Sequence, residues 1–227
     1  MKRWLAAIAV ILIAVSSLAQ DNDKSKDQGS RFVYADFEQL KEGLPVSTRG
    51  GAVMLIGYQQ NPANAVTFTN SDKPWPHTPM VARAAQNSSQ FVAFDFMIPA
   101  PNQYAGVSLE IRGLPEKDGK QVAEDLSAYN YITVQVFAQG ITTMKAELIT
   151  KDNGVNIADG EQFGFPFRLT NGFNTYKLKL KDFHQEKWVE NRKSLADVLK
   201  HLTAVRFVAQ EIPSKGRVVI DNIVFEK

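Results

Sequence analysis

Acidic residues stand at both ends of the folded part of this chain. Asp36-Phe37-Glu38 closes the first strand-like run, and Ile220-Asp221-Asn222-Ile223 lies inside the last. Carboxylate oxygens are the ligands that hard cations such as Ca²⁺ take, together with backbone carbonyls. On a regular strand Asp221 shares its face with Val219, Ile223 and Phe225. A carboxylate on an apolar face needs a partner or a metal. Pairing with Arg, Lys or backbone N–H groups is the alternative, and the sequence leaves both open.

No catalytic constellation accompanies these acids. The three histidines, His77, His184 and His201, have no ligand spacing, and the chain has no cysteine to join them. Neither a Gly-x-Ser-x-Gly elbow nor a phosphate-binding glycine loop is present. No pair of carboxylates is singled out by local spacing for glycoside hydrolysis. The expectation is a binding module with no catalytic residues.

The elements that must position such a site read as strands. Ile132, Val134 and Val136 alternate with Thr133, Gln135 and Phe137; Met144, Ala146 and Leu148 alternate with Lys145, Glu147 and Ile149. Val107–Ile111 and Tyr176–Leu180 repeat the pattern. Period two marks strands with one face in a core and one in water. Further strands are expected at 32–37, 52–58, 65–69, 91–98, 162–168, 204–209 and 217–225. Turn signals such as Gly43-Leu44-Pro45, Asn153-Gly154, Asp159-Gly160 and Asn171-Gly172 separate them. Many short strands at this spacing predict an all-β sandwich of two antiparallel sheets. One helix is predicted: Ser194 caps it, Asp197 completes a capping box, and Leu195, Val198, Leu199 and Leu202 share a face.

Residues 1–19 read as a signal peptide. Lys2 and Arg3 precede the apolar run Leu5–Val15, and Ser17-Leu18-Ala19 supplies small residues for cleavage before Gln20. The run is short for a membrane span. Gln20–Ser30 has no apolar side chain and reads as a flexible linker. Residues 31–227 form one expected domain, exported to the periplasm or the extracellular space. The chain carries 26 Lys+Arg against 24 Asp+Glu. Without Lys2 and Arg3 the count is 24 against 24, formally neutral. This gives no support for nucleic acid or an anionic membrane as partner. Zero Cys is compatible with export, because about 200 residues bury a core without disulfides.

The chain resembles the complex I intermediate-associated protein family and the family 11 carbohydrate-binding modules, both galactose-binding-like jelly rolls. The resemblance is carried by Asp36-Phe37-Glu38, Gly50-Gly51, Tyr104-Ala105-Gly106-Val107 and Asp125-Leu126-Ser127-Ala128-Tyr129. It continues through Thr175-Tyr176-Lys177-Leu178, Asp182-Phe183 and Ile220-Asp221-Asn222-Ile223. It departs from the complex I type at Val46-Ser47-Thr48-Arg49 and at Phe173. The resemblance implies a jelly roll with a structural Ca²⁺ held by Glu38 and Asp221, with Asp36 as a second opening candidate. It implies as partner a poly- or oligosaccharide lying on the outer face of one sheet. The alternative is a cell-envelope protein bound by the same fold without sugar. Sugars are held by rings against their C–H faces and by directed polar groups. The expected ligand-binding residues are therefore Trp188, Trp75, Tyr131 and Phe137 with Arg112, Gln135 and Glu147. Trp75 sits in the proline-rich stretch Lys73–Pro79.

Overall fold

The structure is a computed structural model, and it describes residues 29–41, 44–59, 66–68, 82–83, 90–112, 123–151, 157, 161–210 and 214–227. The expected signal segment and most of the linker, to residue 28, lie outside the described residues, as does Trp75.

The chain folds as an antiparallel β-sandwich of the jelly-roll type. Its strands are β1 (Arg31–Ala35), β2 (Leu40–Lys41), β3 (Leu44–Pro45), β4 (Ala52–Gln59), β5 (Val66–Phe68), β6 (Ala82–Arg83) and β7 (Gln90–Ile98). There follow β8 (Ala105–Arg112), β9 (Tyr131–Gln139), β10 (Thr143–Ile149), β11 (Phe163–Arg168), β12 (Asn174–Lys179), β13 (Ala204–Ala209) and β14 (Ser214–Glu226). One sheet has seven strands, in the order β12-β9-β14-β7-β5, with β1 on β14 and β6 on β7. The other has five, in the order β11-β10-β13-β8-β4. The short pairs β2–β3 and β6–β7 carry too few residues to show an alternation in the sequence.

The alternating residues explain the layering. Ile132, Val134 and Val136 of β9 and Phe94, Val218 and Ile220 of the neighbouring strands point inward from the larger sheet. Val107, Leu109 and Ile111 of β8 with Val205 and Phe207 of β13 meet them from the smaller one. Burying side chains of this kind contributes about 1.5–3 kcal/mol each. Tyr34 spans the gap: its hydroxyl donates to the Leu109 carbonyl at 2.6 Å, and burial holds its pKa well above the ordinary value. Its ring packs against Phe225, which in turn meets Tyr129.

The helix α1 (Leu195–Lys200) forms as expected. The Ser194 hydroxyl accepts from the Asp197 N–H at 3.0 Å and donates to the Asp197 carboxylate at 2.6 Å. Val198, Leu199 and Leu202 are buried.

Strand β14 departs from the simple alternation. Asp221 pairs with Gln135 of β9, but the next registered pair is Val224 with Thr133, so one extra residue bulges between them. Asn222 absorbs the bulge in the left-handed region at φ 48°. Asn tolerates that conformation better than most residues. The phase of the strand therefore reverses. Val218 and Ile220 point inward before the bulge, and Ile223 and Phe225 do so after it. Asp221 is thus on the outer face with Val219, not on one face with Ile223 and Phe225. The alternation that placed all four together fails because a bulge shifts the two-residue period.

Candidate functional site

The bulge brings the acidic ends together. Phe37 has φ 60° and a fully buried ring, so the chain turns sharply between Asp36 and Glu38. Asp36 Oδ1 accepts from the Glu38 N–H at 3.1 Å and steadies that turn. The Gly50-Gly51 loop lies beside it: Val46 N–H donates to the Gln39 carbonyl at 3.1 Å, and Thr48 N–H to that of Val33 at 2.9 Å. Gly50 closes this loop at φ 81°, where a Cβ would be strained.

Asp221 is only 4% exposed. Its carboxylate accepts from the Asn222 N–H at 2.7 Å. Burial, with the negative charges of Glu38 and Asp36 adding to it, pushes its pKa from 3.8 up to about 6. Asp36, Glu38 and Asp221 therefore share one electrostatic neighbourhood. Among the described residues, no group of three or more His, Cys, Asp or Glu side chains stands close enough to hold a metal ion.

The expected saccharide residues divide between the two outer faces. Tyr131, Gln135 and Phe137 occupy the outer face of β9 in the seven-stranded sheet. Lys177 Nζ lies 4.5 Å from the Tyr131 ring centre, and Gln135 accepts from Asn222 Nδ2 at 3.2 Å. Glu147 is on β10 and Arg112 on β8, both in the five-stranded sheet. The two groups cannot line one groove, because the sandwich stands between them. Separate strands gave the sequence no means of assigning them to sheets.

The five-stranded face carries the more pointed chemistry. Register places Glu147, Arg206 and Ser108 side by side across β10, β13 and β8. They are 2%, 4% and 2% exposed. Glu110 lies one step along β8 on the same face, and it too is buried. Lys145, two residues before Glu147, reaches the Glu147 carboxylate at 3.4 Å and that of Glu186 at 3.3 Å. Its side chain passes over Gly164, where a Cβ would stand 2.1 Å from Lys145 Cε. Glu147 Oε2 and Ser108 Oγ are buried and have no hydrogen-bond partner among the described residues.

Trp188 borders this face. Gly164 of β11 exchanges backbone hydrogen bonds with His184, which fixes the 184–189 segment along that edge strand. Glu186 turns inward to Lys145, while Trp188 is 62% exposed. Arg206, Ser108 and Lys145 were not among the expected binding residues. Arg206 had a signal, since it is the one charge inside the apolar run Ala204–Ala209.

Comparison with solved structures places the fold. A family 11 carbohydrate-binding module of the cellulosomal cellulase Lic26A-Cel5E of Clostridium thermocellum superposes with a TM-score of 0.54 at 14% identity, over 86% of this chain and 92% of that one. A Clostridium thermocellum family 11 module in complex with a β-1,3-1,4-mixed-linked tetrasaccharide gives 0.55 at 11% identity, over 87% and 95%. A family 30 carbohydrate-binding module gives 0.52 at 14%, over 77% and 83%. The likeness is one of fold. No protein-family model and no curated protein matches the chain.

The raised Asp221 pKa predicts a pH dependence for metal-free protein. Between about pH 4 and 6 the unfolded chain has released this proton and the folded chain still holds it. Stability therefore falls as pH rises through that window, by about 3 kcal/mol in full. Asp95, Asp125 and Glu226 slope the opposite way, because Arg217, Ser127 and Lys177 hold their carboxyls below ordinary values. The measurement is therefore a difference. Denaturant melts of Asp221→Asn and wild type in chelator should diverge between pH 4 and 6, the variant gaining on the wild type. Parallel curves would show that Asp221 titrates normally.

Proposed function

We propose that this chain is a non-catalytic saccharide-binding module whose ligand lies on the outer face of the five-stranded sheet. The row Glu147–Arg206–Ser108 carries the reading. A guanidinium between a carboxylate and a hydroxyl offers fixed donors and acceptors for sugar hydroxyls. The unpartnered Glu147 Oε2 and Ser108 Oγ leave acceptor capacity at both ends of the row. Trp188 at the rim supplies a ring for a sugar's C–H face. The mixed-linked tetrasaccharide bound by a similar fold makes β-glucan oligosaccharides the first ligands to try.

Calcium belongs to the same reading as a structural ion. Asp221 and Glu38 are hard oxygen donors in one neighbourhood, with the charge of Asp36 felt there too, and a cation would offset both the burial and the carboxylate repulsion that raise the Asp221 pKa. Backbone carbonyls would have to complete its shell. Export through the 1–19 leader fits a ligand found outside the cell.

Two experiments test this. Titration calorimetry of the 20–227 protein with mixed-linked β-glucan tetrasaccharide should show binding, and a panel of neutral and acidic polysaccharides broadens the search. Trp188→Ala and Ser108→Ala should each weaken it about tenfold, the worth of one directed contact, with little change in melting temperature. A folded wild type that binds no glycan would turn the reading to an envelope protein partner. For the ion, calcium should raise the melting temperature of wild type by several degrees and leave Asp221→Asn unmoved. A wild-type melt indifferent to calcium and chelator removes the ion.

A further inference from the structure

A second polar cleft lies on the larger sheet's side of the molecule, away from the Glu147–Arg206–Ser108 row. It has a volume of about 410 Å³. Its floor is apolar: Leu180 of the 3₁₀ turn that follows β12, with Leu195 and Leu199 of α1. Its rim carries Lys179 and Lys181 together with Tyr129, Asn130 and Tyr131. No acidic side chain lines it.

Three carboxylates near the cleft are engaged by other groups, and Asp182, beside Lys181 in the 3₁₀ turn, is exposed and does not line it. Glu226 is taken by Lys177 at 2.8 Å and by the Thr133 hydroxyl at 3.1 Å. Asp125 accepts from the Ser127 N–H and hydroxyl at 3.1 and 2.6 Å. Asp197 is held by Ser194. Lys179 and Lys181 make no ion pair among the described residues, and their charges project into water at the mouth of a concave surface.

Edge protection accounts for part of the pattern. β12 is the outer strand of its sheet, and lysines on an edge discourage pairing with another chain. That function does not need Lys181, which lies past the strand in the 3₁₀ turn, nor an apolar floor beneath it. Two ammonium groups above a floor of leucines and beside two tyrosines match a ligand with an apolar face and a negative group.

We propose that this cleft binds an acidic sugar unit, with the carboxylate held by Lys179 and Lys181 and the pyranose ring resting on the leucine floor beside Tyr131. Lys177, already over the Tyr131 ring, fixes that ring's orientation. The site is separate from the neutral-sugar face, so either can fail without the other.

The test titrates the 20–227 protein with trigalacturonate, its fully methyl-esterified form, and citrate. Wild type should bind trigalacturonate. The ester and citrate should bind at least about tenfold more weakly, and so should trigalacturonate to a Lys179→Ala/Lys181→Ala protein. Affinity should fall as salt rises, as expected for exposed ammonium groups. Both lysines are exposed, so the melting temperature of the double variant should match wild type. Ser108→Ala, on the other face, should leave trigalacturonate binding unchanged. Absence of binding, equal binding of the ester, or retention by the double variant would overturn the proposal. Equal binding of citrate would reduce the cleft to a general anion site and overturn the sugar assignment.

Discussion

The bulge in β14 is the constraint on which the rest of this structure depends. One thirteen-residue strand runs the length of the larger sheet with β9 along one side. On its other side it pairs with β7 as far as Ile220, and with β1 from Ile223 onward. The exchange of partners falls at the bulge. Without the shift in phase, Ile223 and Phe225 would face outward, and the Tyr34–Phe225–Tyr129 aromatic cluster would lose its centre. The strained Asn222, the buried Asp221 and the turn at Phe37 all follow from joining the first strand to the last at that point. Strain of this kind persists only where the surrounding packing holds it.

The fold was legible because it rests on local alternation. Strand β13 was bounded correctly by its apolar run, and α1 by Ser194 and Asp197. The phase of Asp221 was not legible, since the bulge depends on which strands flank β14. The β2–β3 pair went unseen for a different reason: Gly43-Leu44-Pro45 looked like a turn, and Leu44–Pro45 instead forms a two-residue strand. The candidate site was legible as residue types but not as an arrangement. Trp188 was named as a ring close in sequence to the strands and Glu147 as a water-facing strand position, and the structure brings their segments to one sheet through Lys145 and Glu186. Tyr131 and Phe137 were grouped with them by closeness in the chain and Gln135 by its water-facing position, and sheet order separates all three from Glu147.

The two outer faces differ in a way that fold likeness alone does not dictate. On the larger sheet Arg217 and Asp95 pair at 2.8 Å in water, where an ion pair contributes little, and the buried carboxylate of Asp221 stands alone at the bulge rather than in a row across strands. On the five-stranded sheet a carboxylate, a guanidinium and a hydroxyl are withdrawn from water in adjacent strands. Burying such groups is costly unless they hold each other or a ligand in place. That contrast is why we propose the five-stranded face for the neutral saccharide.

Mapping the amide shifts of isotope-labelled protein on adding mixed-linked β-glucan tetrasaccharide tests this assignment most directly. Shifts should concentrate on β8, β10 and β13 around Ser108, Glu147 and Arg206 and extend to the Trp188 segment, with β9 and β12 silent. Shifts centred on Tyr131, Gln135 and Phe137 would contradict it.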